Sequence, residues 1–274
     1  MSAVDTRCLS AVALDAAADQ GRAALVGYLP VGYPDVAGSV EAVKAMVDGG
    51  VDVVELGLPY SDPLMDGPVI QHAVDTALRA GTRTRDVLAA VETIAGFGVP
   101  VLVMTYWNPV DRYGIPRFAA ALASAGGAGL ITPDLIPDEA GEWIAASDAE
   151  GLERVFLVAP SSGAGRLAST AAACRGWVYA ASTMGVTGIR TSVGSAARDL
   201  VGRTRAAGAA RVCVGLGVST REQAAEVAGY SDGVIVGTAF VRALTEAADR
   251  PSGLRAVENL AGSLSTGVRE GRGR

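Results

Sequence analysis

Short apolar runs alternate along this chain with segments whose apolar positions recur at helical spacing. The first run is Ala-Leu-Val-Gly-Tyr-Leu-Pro at 24–30, closed by a Gly-Tyr-Pro-Asp turn. Similar runs lie at 51–57, 99–106, 128–132, 154–160, 177–182, 211–217 and 232–237. Each is rich in Val, Ile or Leu and bounded by Gly, Pro, Asn or Asp, as strands buried on both faces are. Between them the period changes to that of amphipathic helices, over about 36–49, 69–80, 84–97, 116–125 and 138–150, then up to about 174, up to about 207, and from about 238. Ser219 is placed to cap the helix after the seventh strand. A helix over 1–20, with Cys8, Val12, Leu14 and Ala18 at helical spacing, precedes the first strand. A last helix covers about 252–264, and the Gly/Arg-rich stretch 267–274 reads as a frayed tail.

Eight strands alternating with helices predict a parallel sheet. At 274 residues without a linker, they predict one domain, 1–274, folded as a (β/α)8 TIM barrel. The N-terminal helix is extra to that plan, as are further helices in the βα loops. An open doubly wound sheet is the alternative, weakened because no GxGxxG follows the first strand.

Composition narrows the function classes. The net charge is −6 and no block of like charge occurs, which disfavours nucleic acid as a partner. A small anion held by backbone amides stays open. Cys8, Cys174 and Cys213 are odd in number and far apart, so neither a disulfide nor a zinc site is expected, and a reducing compartment is. No secretory leader and no apolar run of membrane-spanning length is evident, so a cytoplasmic location without a membrane partner is expected. The single histidine, His72, sits at a helix start, where a solvated side chain is the simplest reading. Acid and base chemistry then falls to Asp, Glu or Tyr.

One stretch concentrates that chemistry. In Val51-Asp52-Val53-Val54-Glu55-Leu56-Gly57, Val54 and Leu56 share one face of the strand, while Val53, Glu55 and Gly57 share the other. If Val54 and Leu56 meet the helices, Glu55 points into the barrel near the strand's C-terminal end, where barrel enzymes place their sites. Desolvation there raises a carboxyl pKa into the working range for proton transfer. The following loop ends on a second acid, Asp66. A buried acid satisfied by a backbone amide, followed by an ordinary turn, fits the same residues. Tyr179 reaches the same space by parity with Trp177 and Ala181, or is a core tyrosine. Gly215-Leu216-Gly217 and Gly237-Thr238 end the seventh and eighth strands, where barrels often bind phosphate; plain βα turns are the alternative. The long loop 183–194, with Gly185-Val186-Thr187-Gly188, is a closing lid or a surface loop.

Taken together, these segments resemble the tryptophan synthase alpha chain family. Glu55-Leu56-Gly57-Leu58-Pro59-Tyr60-Ser61-Asp62-Pro63-Leu64-Met65-Asp66-Gly67-Pro68 is similar to the family's E-L-G-x-P-[FY]-S-D-P-x-A-D-G-P, with Met65 at the usual small position. Tyr106-Trp107-Asn108-Pro109, Tyr179, Gly185-Val186-Thr187-Gly188, Gly215-Leu216-Gly217-Val218-Ser219 and Val236-Gly237-Thr238-Ala239 follow in the family's order, so the likeness covers about 3–264.

The resemblance implies retro-aldol cleavage of indole-3-glycerol phosphate to indole and glyceraldehyde 3-phosphate. It implies that Glu55 handles protons beside Tyr179, that Asp66 meets the indole N–H, and that Thr187 reaches Asp66 when the lid closes. It puts the phosphate on amides of Gly188, Gly217 and Gly237 with the Thr238 hydroxyl, and Tyr28 and Met104 along the indole pocket. It also implies a beta chain that carries pyridoxal phosphate and takes up the indole, in an alpha2beta2 heterotetramer, with no cofactor in this chain. The only lysine, Lys44, falls on a surface helix, which gives no Schiff-base candidate.

Three departures bear on this. Asp134-Leu135-Ile136-Pro137 is one residue longer than the common D-L-P. Thr238 stands for the commoner Ser, and Thr183-Met184 precedes Gly185 where Arg or Ser is common. Another phosphate-binding barrel enzyme, such as a sugar-phosphate isomerase, is one alternative, though it leaves the 55–68 segment unexplained. A non-catalytic activator of a beta chain is the other, and retention of both Glu55 and Asp66 weighs against it.

Overall fold

The computed structural model describes residues 8–181 and 195–271. The chain runs α1 (Leu9–Asp19), β1 (Ala24–Pro30), α2 (Val36–Asp48), β2 (Val53–Gly57), α3 (Pro68–Arg79), α4 (Thr84–Ala95) and β3 (Val101–Met104). It continues with α5 (Trp107–Tyr113), α6 (Ile115–Ser124), β4 (Gly129–Thr132), α7 (Gly141–Glu150), β5 (Glu153–Val158), α8 (Ala164–Ala173) and β6 (Val178–Ala181). The last third holds α9 (Ser195–Ala206), β7 (Val212–Gly215), α10 (Arg221–Ala228), β8 (Gly233–Val236), α11 (Thr238–Thr245) and α12 (Arg250–Glu270). The strands pair in parallel in chain order and β8 closes on β1, so the expected barrel is the fold. Its extra helices are α1 and those that share a βα connection.

Strand alternation sorts the core into two layers. Val54, Leu56, Val101, Val103, Leu130 and Val214 pack outward against the helices. Val26, Val53, Leu102, Ile131, Val155 and Cys213 fill the barrel interior, and Leu14 and Ala17 of α1 join them. Helix α1 plugs the barrel's N-terminal end because its turn at Gly21 (φ +71°) leads directly into β1. Polar contacts fasten that end. The Arg22 guanidinium grips Asp52 through two bonds of 2.7 and 2.8 Å, and Arg211 holds Asp15 of α1 likewise at 2.7 and 2.6 Å.

Four details differ from the sequence expectations. The first helix expected after the third strand starts at about 116, yet Trp107 already opens α5, with Pro109 in the first turn, where its missing N–H costs nothing. The Trp107 amide is capped by Asp134 at 2.9 Å, which gives the lengthened β4 loop a structural task. The cap of α10 is Thr220, paired with Gln223 in a capping box, whereas Ser219 donates to the Gln223 side chain. The last helix does not fray at 267. It continues to Glu270, with Gly267 and Val268 buried. A Cβ on Gly267 would come within 2.3 Å of the Arg221 carbonyl, so this glycine permits close helix packing instead of ending the helix. The helix expected over 1–20 begins, among the described residues, at Leu9.

Asp52 also accepts the Leu25 amide at 2.8 Å. Replacing it with Ala strands a buried guanidinium and a strand N–H together. Asp52→Ala is expected to cost about 3 kcal/mol, and Asp52→Asn less because an amide oxygen still serves Leu25. Urea unfolding midpoints of the two variants measure the difference.

Candidate active site

The C-terminal ends of β1, β2 and β3 carry Tyr28, Glu55 and Met104, and register places Tyr28 opposite Glu55 and Gly57 opposite Met104. Glu55 follows Val53 on the interior side and is fully buried. Neither of its carboxyl oxygens has a hydrogen-bond partner. The groups that feel its charge are the partly buried Tyr28 and Tyr179 and the buried Cys213. Desolvation pushes the Glu55 pKa up to about 8, so the group is a neutral acid near neutral pH.

Asp66 sits on the loop after β2 in a different environment. Burial raises its pKa as well, but the Tyr106 hydroxyl donates to Oδ1 at 3.2 Å and opposes the rise. The same hydroxyl accepts the Met65 amide at 2.9 Å, so Tyr106 ties the loop to the end of β3. Only the backbone of Met65 enters that bond, which explains why an atypical side chain is tolerated there. Tyr60 packs on Tyr106 with ring centroids 5.5 Å apart, and Asn108 donates to the Tyr60 hydroxyl at 3.1 Å. Tyr28, Leu58, Tyr60, Asp66, Met104 and Tyr106 line an open-mouthed pocket of about 300 Å³, its solvent included. Tyr28 and Met104, expected to share one pocket, both line this one. Sequence reasoning misses Tyr60 and Tyr106 as walls of that pocket, although both stand in the family's motifs.

Glycines make room for the two interior tyrosines. A Cβ on Gly57 would fall 2.3 Å from the Tyr28 hydroxyl, and one on Gly237 would fall 2.9 Å from its ring. β2 and β8 are the two neighbours of β1, so Tyr28 is seated by a glycine on each side. Gly215 on β7 does the same for Tyr179 on the adjacent β6, at 2.3 Å from its hydroxyl. Gly215, grouped in the sequence with an anion site, therefore serves Tyr179.

The expected phosphate residues divide. Gly217 takes a left-handed turn (φ +72°) after β7. Gly237 is the N-cap of α11, and the first intrahelical bonds run from Phe240 and Val241 to its carbonyl. The amides at the start of α11 therefore point out of the helix, where anions are favoured. Thr238 opens that helix and is 8% exposed. β7 and β8 are paired, which sets the two turns side by side. Thr187, Gly188 and the rest of the expected lid at 183–194 lie outside the described residues. His72 is exposed on α3 with its ring edge-on to Tyr33. Among the described residues no cluster of His, Cys, Asp and Glu is arranged to hold a metal ion, and no helix is long and apolar enough to cross a membrane.

The family model for the tryptophan synthase alpha chain matches residues 14–269. The chain belongs to the tryptophan synthase alpha chain family. It is 60% identical over 253 residues to the tryptophan synthase alpha chain of Thermobifida fusca, covering 91% of this chain and 94% of that one. It is 59% identical over 257 residues to that of Streptomyces coelicolor, covering 93% and 95%. A structure of Mycobacterium tuberculosis tryptophan synthase superposes with a TM-score of 0.90 at 57% identity over 95% of this chain and 98% of that one. The tryptophan synthase complex from Pyrococcus furiosus gives 0.81 at 30% identity over 89% and 97%. As a member of this family the chain is a lyase that cleaves indole-3-glycerol phosphate to indole and glyceraldehyde 3-phosphate. The isomerase reading is set aside by the same match.

Two outcomes follow from this geometry. Gly215→Ala pushes the Tyr179 ring out of its seat and is expected to slow indole release by about 10-fold or more with little change in the unfolding midpoint. Steady-state assay beside urea titration checks it. The second concerns pH. Buried Glu55 and Glu153 hold pKa values of about 8 and about 7, above the ordinary 4.5. The folded state therefore binds more protons than the unfolded chain. The stability these groups add is complete below about pH 4.5 and is lost as pH rises through about 7 to 8. The unfolding midpoint of Glu55→Gln should thus fall less steeply than that of the parent between about pH 6 and pH 9. Parallel slopes would overturn the assignment.

Proposed function

We propose that Glu55 moves the protons of the cleavage and that Asp66 holds the indole nitrogen. The observation that carries this reading is a neutral, unpartnered, fully buried carboxyl group at the ends of β1 and β2, behind an aromatic pocket that contains a second acid. An acid that keeps its proton at neutral pH can deliver it to indole C3. The ring then becomes an electron sink with its positive charge at nitrogen. The carboxylate left behind accepts the proton of the adjacent glycerol hydroxyl, whose electrons form the aldehyde C=O. The electrons of the breaking C–C bond restore the indole, and Glu55 ends protonated as it began. Asp66, kept ionisable by Tyr106, accepts the indole N–H bond and stabilises the cation. Each effect is worth ~10²–10⁴-fold.

Tyr179 walls the Glu55 side, and Tyr28 and Met104 flank the ring plane. The phosphate rests on amides of Gly217 and Gly237 with the Thr238 hydroxyl, and Gly188 and Thr187 act from the lid. The 1–274 chain works as one domain. The partner is a tryptophan synthase beta chain, in an alpha2beta2 heterotetramer in the cytoplasm, which carries pyridoxal phosphate and consumes the indole. The similar Pyrococcus furiosus protein is a tryptophan synthase complex, which supports a partner.

Glu55→Gln should lose at least ~10²-fold in kcat while still binding glyceraldehyde 3-phosphate, and Asp66→Asn should lose a comparable factor. Near-parental cleavage by Glu55→Gln would sink the mechanism. Cleavage by the chain alone, measured as indole released, separates the enzyme from a mere activator. Light scattering with and without a beta chain reads the heterotetramer.

A further inference from the structure

Below Glu55 and Tyr179 the inner layer continues to the barrel's N-terminal end through one aromatic stack. Trp177 is 1% exposed and precedes Tyr179 by two residues, so both rings point inward. Their centroids are 5.9 Å apart and their planes differ by 29°. The Trp177 indole N–H donates to Ser10 Oγ at 3.0 Å. Ser10, buried at the start of α1, donates its amide to Glu153 Oε1 at 2.8 Å and its hydroxyl to the other carboxyl oxygen. Glu153 opens β5 and is itself buried, with Gly176 leaving space beside its carboxyl group.

A buried indole N–H needs an acceptor, and Ser10 Oγ meets this one at 3.0 Å. Here the N–H sits where no solvent reaches, so turning the ring leaves a donor unpaired. The ring plane of Trp177 is fixed from below. Tyr179 lies on that plane and is stopped above by Gly215.

We propose that Trp177, oriented by Ser10 and Glu153, is a positioning residue that sets the ring of Tyr179 beside Glu55. This rests on the role proposed above for Tyr179. α1 is then more than a plug: its second residue helps to place a side chain of the reaction centre at the far end of β6.

Steady-state cleavage of indole-3-glycerol phosphate by the full chain tests this in a double-mutant cycle. Trp177→Phe keeps an aromatic ring but lacks the donor, and Ser10→Ala lacks the acceptor. Each is expected to lower kcat about fivefold with KM within about twofold, and Ser10→Thr, which keeps a hydroxyl, to recover most of the loss. In a Tyr179→Phe background the same two changes should add nothing, because the hydroxyl they position is gone. Unchanged kcat in both single variants, or equal losses with and without the Tyr179 hydroxyl, overturns the inference while leaving the role of Tyr179 intact. Parental kcat in Tyr179→Phe alone refutes that role and this inference with it. If Trp177→Phe does not fold, the Ser10 variants complete the cycle.

Discussion

A carboxyl group without a partner in the middle of a closed barrel is the constraint around which this chain is arranged. Ionised, Glu55 would place an uncompensated charge among Val, Leu and Tyr side chains, at a cost of several kcal/mol. Protonation avoids most of that cost, which is why its pKa lies near 8. Such a group needs a rigid enclosure, since any slack would admit water and return the acid to its ordinary behaviour. The barrel supplies rigidity in layers. Outward strand residues lock against helices, inward ones interdigitate, and α1 closes the lower end with Leu14 and Ala17.

Room for chemistry inside that enclosure comes from glycines on neighbouring strands. Gly57 and Gly237 flank Tyr28, and Gly215 faces Tyr179, each where a methyl group would overlap an aromatic side chain. These absences of side chain, on β2, on β7 and just after β8, define the walls as much as the tyrosines do. Gly237 belongs to two features at once: it touches the Tyr28 ring and it caps α11. An anion at that helix start would therefore lie within one residue's breadth of the aromatic pocket, as a substrate with a phosphate at one end and an aromatic ring at the other requires.

Much of this architecture is legible in the amino-acid sequence. Eight apolar runs with helical intervals specify parallel strands buried on both faces, and the lack of GxGxxG after the first strand favours the closed barrel over an open doubly wound sheet. Strand parity alone turns Glu55 inward once Val54 and Leu56 are assigned to the helices. What the sequence conceals depends on distance along the chain. Tyr106 reaches Asp66 across 40 residues, and Asp134 caps Trp107 across 27. Nothing local at either residue announces such a partner. The glycines mislead for a different reason. Gly267 reads as the start of a frayed tail and Gly215 as part of an anion loop, yet both answer to close approach by another element, Arg221 in one case and Tyr179 in the other. A glycine's local signal is ambiguous between backbone freedom and the need for space, and only the neighbour decides.

The two carboxyl groups of the site end in opposite circumstances although burial raises the pKa of both. Asp66 has a phenol donating to it, and a hydrogen bond to a carboxylate favours the ionised form. Glu55 has no donor at all, so nothing opposes desolvation. The two acids thus differ in two respects, since Glu55 is wholly buried with no donor, whereas Asp66 lines the pocket and accepts from Tyr106, which opposes the rise that burial causes. On the proposed mechanism the separation is needed in one turnover. The proton donor must be neutral when the substrate arrives, and the indole nitrogen becomes positive only after that proton has moved. A donor like Tyr106 beside Glu55 would favour its ionised form and weaken it as a proton donor. Were Asp66 deprived of its donor, it would tend to arrive neutral and offer the cation little. The partner of each carboxyl group therefore matters as much to the chemistry as its position on the barrel.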